Sequence, residues 1–412
     1  MTTRRQFLRS GTLLSLAPWW PRWLSAQQGA TAAGAAPAGA NRERLLVVIQ
    51  LDGGNDGLNT LAPVGDPLYR KLRPTLALDP ARALPLADGM ALHPALRPLL
   101  PRWEAGQLAV VQGVSYPQPN LSHFESMRIW QTGLVDAAAN ESLGWFGLAT
   151  DPMAAPGRLP RNVFVGRGSV PTALNGRRTA TLALRRLEEL ELADRELAAA
   201  GATAAEGGDA GADAREALRR HVARVQRQSL DAAEQLAPDI AAAKAMVATS
   251  GNEPRLQTEL QTIARWIERG IDARVFHVMQ GGYDTHAGQA VPHEQLLEEL
   301  ARAIAAFFAR LAESGHAERV VALTFSEFGR RADENLGQGT DHGIAGPMLL
   351  LGAGVKGGLH GAAPRLDDLD QGNLKGTADF RAVFGAATGH WLGLPPHERA
   401  AAVPPAKSLF VG

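Results

Sequence analysis

The run Leu45-Leu46-Val47-Val48-Ile49-Gln50-Leu51 constrains the fold of this chain more than any other stretch. It lacks the alternation of a strand wetted on one face, so it reads as a strand buried on both. Strands of that kind belong to mostly parallel sheets covered by helices on either side. Further candidate strands are Leu108–Gln112, Asn162–Val165, Val275–Met279, Val320–Phe325 and Met348–Leu351. Helical patterns alternate with them near His93–Ala105, Phe124–Trp130, Glu253–Gly270, His293–Ser314 and Thr377–Leu392. That alternation predicts a doubly wound α/β domain spanning residues 41–412. Between about 185 and 270 the pattern turns to helix only, including Ala214–Thr249, and is interrupted by the Ala/Gly/Asp-rich run Ala198–Ala214. This region reads as a helical insertion carrying a low-complexity loop, either shielding the site or standing apart from it.

The N-terminus reads as an address. Thr3-Arg4-Arg5-Gln6-Phe7-Leu8-Arg9 is a twin-arginine pattern, and the apolar run Gly11–Trp20 behind it is too short for a membrane span. Leu24-Ser25-Ala26 offers a small-residue cleavage site, so residues 1–26 are expected to be a signal peptide. Residues 27–40, rich in Ala and Gly, follow as a flexible tether. Cleavage would remove four arginines and no acids, leaving 38 basic against 42 acidic residues. With no later stretch apolar enough to span a bilayer, the expectation is a periplasmic or secreted protein handled by the twin-arginine export machinery. A full-chain net charge of zero gives no electrostatic footing for nucleic acid. Cysteine is absent, which excludes disulfides, thiolate metal sites and a cysteine nucleophile.

Polar clusters recur after the predicted strands, where open α/β sheets place their ligands. Asp52 ends the first strand, with Gly53-Gly54 behind it and Asn55 or Asp56 as further oxygen donors. The same composition also suits an ordinary turn. Ser122-His123 opens the helical pattern at Phe124. Ser122 can cap that helix with Glu125 completing a capping box, or present a nucleophilic hydroxyl at the helix N-terminus. His123 is placed to orient substrate or carry a proton. Asp284 and His286, two residues apart in a glycine-led loop, can face one ion. Glu327 follows the strand Val320–Phe325, and Arg330 and Arg331 nearby can hold an anionic oxygen or lie solvated on the surface. Of Asp341 and His342, adjacent in sequence, one is expected to bind metal while the other orients a ligand. Gly352-Ala353-Gly354-Val355-Lys356-Gly357 matches a dinucleotide fingerprint, but it leads into Gly358-Leu359-His360-Gly361 and not into a helix, so nucleotide binding is rejected.

The pieces Leu51–Gly57, Ser122–Glu125, Gly282–His286, Ser326–Arg330 and Thr340–Gly343 resemble, in this order, the DUF1501 family of exported bacterial proteins of unassigned function. That family is in turn similar to the alkaline phosphatase and sulfatase superfamily. The resemblance implies an alkaline phosphatase-like α/β fold and metal-assisted attack on a phosphate or sulfate ester. By position it makes Asp52, Asp284, His286 and His342 metal ligands and Ser122 the nucleophile. The segment Ser326-Glu327-Phe328-Gly329 departs from the superfamily, which has an Asp-His pair there, so one imidazole of a two-zinc site is missing. The reading is an exported metal-dependent hydrolase of a small or polymer-borne anionic ester. Its metal set is Asp52, Asn55, Asp284, His286, Glu327, Asp341 and His342, and its catalytic set is Ser122, His123 and Arg330. Mixed oxygen and nitrogen donors favour Zn²⁺ or Mn²⁺, with Ca²⁺ or Mg²⁺ admitted if carboxylates dominate. The rival reading is a non-catalytic periplasmic binding or assembly protein that keeps the fold.

Overall fold

The computed structural model of the protein describes residues 43–136, 142–154, 160–166, 168–179, 181–184, 255–406 and 408–411. The expected signal peptide, the tether, the low-complexity run and the helix at Ala214–Thr249 lie outside the described residues.

The described strands of the main sheet are β1 (Leu45–Asp52), β2 (Leu108–Ser115), β3 (Asn162–Val165), β4 (Thr181–Leu184), β5 (Val275–Gly281), β6 (Val320–Phe325), β7 (Gly346–Leu351), β8 (Gly358–His360) and β9 (Ala378–Asp379). Their order is β8-β2-β7-β6-β1-β5-β3-β4, with β9 also paired to β2. The buried run chosen from the sequence sits centrally, parallel to both neighbours: Leu46 pairs with Val275 and Val321. β7 runs antiparallel to β2 and to β6, so those two point the same way as β1 and β5. All four carboxyl ends therefore reach one edge of the sheet.

Side chains alternate across β1, and the two faces feed separate cores. Val47, Ile49 and Leu51 pack with α2 (Arg255–Glu268) and α3 (Ala290–Glu313), whereas Leu46 and Val48 join the core that contains α1 (His123–Thr132) and α4 (Phe380–Ala386). Helices thus cover both faces, which makes the fold a mostly parallel, doubly wound α/β sheet. α3 buries Leu297, Leu300, Ile304, Phe307, Phe308 and Leu311, the spacing of one helical stripe. α1 is locked by Trp130, which stacks on Phe325 of β6 at 5.5 Å and on Phe380 of α4 at 4.3 Å.

Two predicted helices are realised differently. Pro94–Leu99 is 3₁₀ and only Leu100–Glu104 is α, because prolines at 94, 98 and 101 withhold backbone donors. The predicted helix at Thr377–Leu392 begins at Phe380 and ends in a π turn over Ala387–Trp391. The rejected nucleotide fingerprint does run into a strand, β8. Short strands such as β4, β8 and β9 carry too few residues to show a period in sequence.

Candidate metal centre

Three loops leave adjoining strand ends. Asp52 lies opposite Gly281 and Gln50 opposite Phe325, so the segments following β1, β5 and β6 start side by side. The loop after β1 can lie against the others only because residues 53 and 54 are glycines. Gly53 has φ +120°, and a Cβ there would sit 2.5 Å from the backbone nitrogen of Asp284. Gly54 has φ +80°, and its Cβ would strike the Phe328 ring at 2.4 Å. A fourth segment arrives through a short antiparallel ribbon in which Gly329-Arg330 pairs with His342-Gly343. The fifth is the start of α1, whose Leu121 carbonyl accepts the Nδ1–H of His342 at 2.8 Å.

At their meeting point one donor atom each from His123, Asp284 and His342 lies within 4.8 Å of the others. His286 stands beside this group, against Asp284 and His342. Its Nε2 is 3.0 Å from Asp284 Oδ1 and 3.0 Å from His342 Nε2, and His342 Nε2 is 3.3 Å from Asp284 Oδ1. His123 Nε2 stands 3.5 Å from Asp284 Oδ2. Donor atoms held about 2.1 Å from one tetrahedral ion are separated by roughly 3.4 Å, so these spacings suit a single small cation.

Each imidazole is oriented by an acceptor on its far nitrogen. His123 Nδ1 faces the Glu327 carboxylate at 2.8 Å, His342 Nδ1 the Leu121 carbonyl, and His286 Nδ1 the Asp341 carboxylate at a looser 3.5 Å. These partners accept hydrogen bonds and donate none, so each neutral ring carries its proton on Nδ1 and turns the lone pair of Nε2 inward. In that tautomer the Nε2 atoms and the Asp284 carboxylate offer donors that a divalent cation can share.

Burial lowers the His342 pKa, with the Arg330 charge adding to it, which keeps the ring available as a neutral ligand. Burial raises the Asp284 pKa, but the Arg330 guanidinium, helped by His342 and His286, outweighs it and holds the carboxyl below its usual value. Asp341 is likewise held low, chiefly by the hydrogen bond that Asn335 donates to it.

The other residues singled out from the sequence take other places. Glu327 is buried, and its Oε1 accepts from the Gly53 N–H at 2.9 Å and from His123, so it stands behind the ring of donors and not in it. Asp341 likewise stands behind His286, its Oδ1 3.5 Å from His286 Nδ1. Asn55 faces away: its side chain is buried against Thr60 at 2.9 Å and His293 at 3.0 Å. Asp52 ends β1 at the same edge but outside the cluster, its Oδ1 accepting from Gln50 at 3.2 Å. Arg330 is 1% exposed and wholly engaged. It donates to the carbonyls of Gly53, Gly54, Tyr283 and Thr340 and to Asp284 Oδ1 at 2.8 Å, tying the loops together with nothing left for an incoming anion. His123, read from the sequence as orienting substrate or carrying a proton, lies in the cluster with Asp284 and His342.

Ser122 occupies the N-cap of α1, is exposed, and makes no capping hydrogen bond. The capping box does not form, because Glu125 turns to Arg128, with contacts of 2.7 and 3.0 Å. Ser122 lies in the chain between Leu121, which orients His342, and His123. Phe328, which looked like a defect, packs its ring 4.9 Å from His123 and 4.5 Å from His342 and buttresses both. A buried layer that the sequence did not reveal joins the same loops. Gln289 bonds Asp56 and accepts from Thr340 at 2.6 Å, and Asp56 pairs with buried Arg73 at 2.5 Å.

The DUF1501 family profile, described as a protein of unknown function, matches residues 43–382. This chain belongs to the DUF1501 family. No curated protein matches its sequence. Similar solved structures include a protein of the alkaline phosphatase superfamily from Vibrio parahaemolyticus, at 9% identity and TM-score 0.41, covering 89% of this chain and 71% of the other. The periplasmic C-terminal domain of EcEptC from Escherichia coli is similar at 9% identity and TM-score 0.41, over 87% of this chain and 84% of that one. A sulfatase from Pseudoalteromonas sp. shows 11% identity and TM-score 0.40, over 90% and 74%. Among the described residues of this DUF1501 chain no helix is long and apolar enough to cross a membrane.

Proposed function

We propose that this DUF1501 protein is an exported, metal-dependent hydrolase of phosphate or sulfate esters, with phosphate the first candidate. The observation that carries the reading is the convergence of His123, Asp284 and His342, with His286 against two of them, where the residue preceding His123 is a serine at the N-cap of α1 that makes no capping hydrogen bond. His123, Asp284, His286 and His342 would hold the metal. A bound Zn²⁺ or Mn²⁺ supplies a Lewis acid that neutralises ester charge and acidifies a nearby hydroxyl.

The chain's own groups do the rest. Ser122 presents its Oγ to the phosphorus or sulfur; as the new bond forms, the bond to the ester oxygen breaks and the hydroxyl proton passes to the departing alcohol. Water then cleaves the seryl ester to restore the hydroxyl and release phosphate or sulfate. The first N–H groups of α1 have no partner within the helix and face the charge that develops next to Ser122. Arg330 holds Asp284 in place from behind and does not touch the substrate. Glu327 and Asp341 keep His123 and His286 turned inward.

The test begins with metal analysis of protein folded in its native host. A stoichiometric transition metal that is lost in His286→Ala or His342→Ala supports the reading. Ser122→Ala should retain that metal and lose turnover of aryl phosphate or sulfate esters. Unchanged turnover would remove Ser122 from the mechanism, and a metal-free, well-folded protein would favour a binding or assembly role.

A further inference from the structure

Five large hydrophobic side chains stand exposed among the described residues: Leu121, Phe124, Val291, Leu336 and Val411. Four of them belong to the segments that build the metal centre. Leu121 and Phe124 flank Ser122 and His123, and Phe124 is 91% exposed. Leu336 is fully exposed on the loop whose preceding residue, Asn335, bonds both the His286 carbonyl and Asp341 at 3.0 Å. Val291, 61% exposed, lies in the first turn of α3, just past the His286 loop. Single exposed apolar residues are ordinary, but four carried by the segments that lead into the centre leave its margin open to an apolar partner.

What covers it is constrained by the centre itself. Three imidazoles and a carboxylate around a divalent ion recruit an anion, so a ligand reaching the rim arrives with its charged group in the middle. We propose that the substrate is an amphiphile, an anionic ester whose alcohol portion carries a hydrocarbon group that lies on Phe124 and Leu336. The proposal rests on the hydrolase reading and names its substrate class. Leu121 and Val291 extend the same apolar margin on either side. A sugar or other polyhydroxylated alcohol would gain nothing from that margin and would leave the four side chains in water.

The test uses the zinc-loaded full chain and unreactive ligands, a series of n-alkyl phosphonates from methyl to octyl with the matching sulfonates, titrated by calorimetry. Each methylene fully covered by protein is worth about fourfold in affinity, so partial cover predicts a gain of at least about tenfold across the series. Phe124→Ser and Leu336→Ser should flatten that gain while leaving methylphosphonate affinity unchanged. Neither side chain supports the fold, so both variants should remain folded. Equal affinity for every chain length would overturn the amphiphile proposal and leave the metal hydrolase intact. Failure of even the methyl compounds to bind the zinc-loaded protein would overturn both. Binding to phosphatidylcholine vesicles that the two substitutions abolish, without chain-length dependence in solution, would assign the rim to a bilayer surface and refute the proposal.

Discussion

Glu327→Gln is the sharpest perturbation of the centre, because it preserves size and removes only the carboxylate behind His123. Glu327 Oε1 now accepts two hydrogen bonds, from Gly53 N–H at 2.9 Å and from His123 Nδ1 at 2.8 Å. A neutral amide accepts these more weakly and lets the imidazole turn, releasing its inward lone pair. Loss of such an orienting partner commonly weakens metal affinity by about 10- to 100-fold. At a free metal concentration 100 times the wild-type Kd, binding stabilises the folded state by about 2.7 kcal/mol. For the variant at the same free metal that figure falls to about 1.4 or about 0.4 kcal/mol, so the rise in Tm on adding Zn²⁺ should shrink by roughly half or more. Calorimetric titration with Zn²⁺, alongside thermal melts with and without metal, separates this effect from any change in the metal-free fold. Wild-type zinc affinity in Glu327→Gln, with His342→Ala unable to bind, would refute an orienting role for Glu327.

Other expectations follow from buried groups. Arg330→Met strands the carbonyls of Gly53, Gly54, Tyr283 and Thr340 and removes the guanidinium from Asp284; a loss of about 3–5 kcal/mol, on the scale of several buried acceptors left without donors, should appear as a lower urea midpoint, and an unchanged midpoint would show that the guanidinium is dispensable. His277 is fully buried on β5 with neither ring nitrogen bonded, and burial pushes its pKa down to about 3 from 6.5. Below pH 6.5 the unfolded chain takes up a proton that the folded one refuses, so this group's contribution is intact above pH 6.5 and is lost as pH falls toward 3. The contribution lost by pH 5 is on the order of 2 kcal/mol, and His277→Leu should flatten the stability curve across that interval in pH-dependent urea melts. Asp56→Asn keeps the shape of a buried carboxylate paired with Arg73 at 2.5 Å and should destabilise by about 3–5 kcal/mol in the same assay, with wild-type stability counting against the pair.

The fold was legible where burial leaves a period. β1 reads directly because both of its faces are covered, and α3 because its apolar stripe recurs from Leu297 to Leu311, about four turns. Strands of two to four residues, such as β9 and β4, leave no such trace, and their pairing is decided by tertiary packing. The site was legible as a set of segments and not as a set of roles. Asp284, His286 and His342 converge, yet Asn55 turns toward His293 because Thr60 and His293 supply buried partners that a sequence cannot display. Arg330 was expected to meet an anion, but four inward carbonyls at the crossing of three loops claim its donors first. Nothing in the sequence marks Gln289 as the link between Asp56 and Thr340, since a glutamine just ahead of an amphipathic helix is unexceptional.

Phe328 bears most directly on what the centre can be. An imidazole in its place would have offered a further donor; the phenyl ring instead fills the space beside His123 and His342 and limits how far either can swing. The donor atoms then remain a single compact group, with Asp52 outside it at the end of β1 and engaged by Gln50. One ion suits such a set better than two. On the proposed hydrolase reading, a single ion leaves part of the charge on an ester oxygen to be met by the N-terminus of α1, where Ser122 is the N-cap. On that reading the apolar ring and the uncapped serine belong to one arrangement: the first narrows the metal set, and the second leaves the helix end open to substrate.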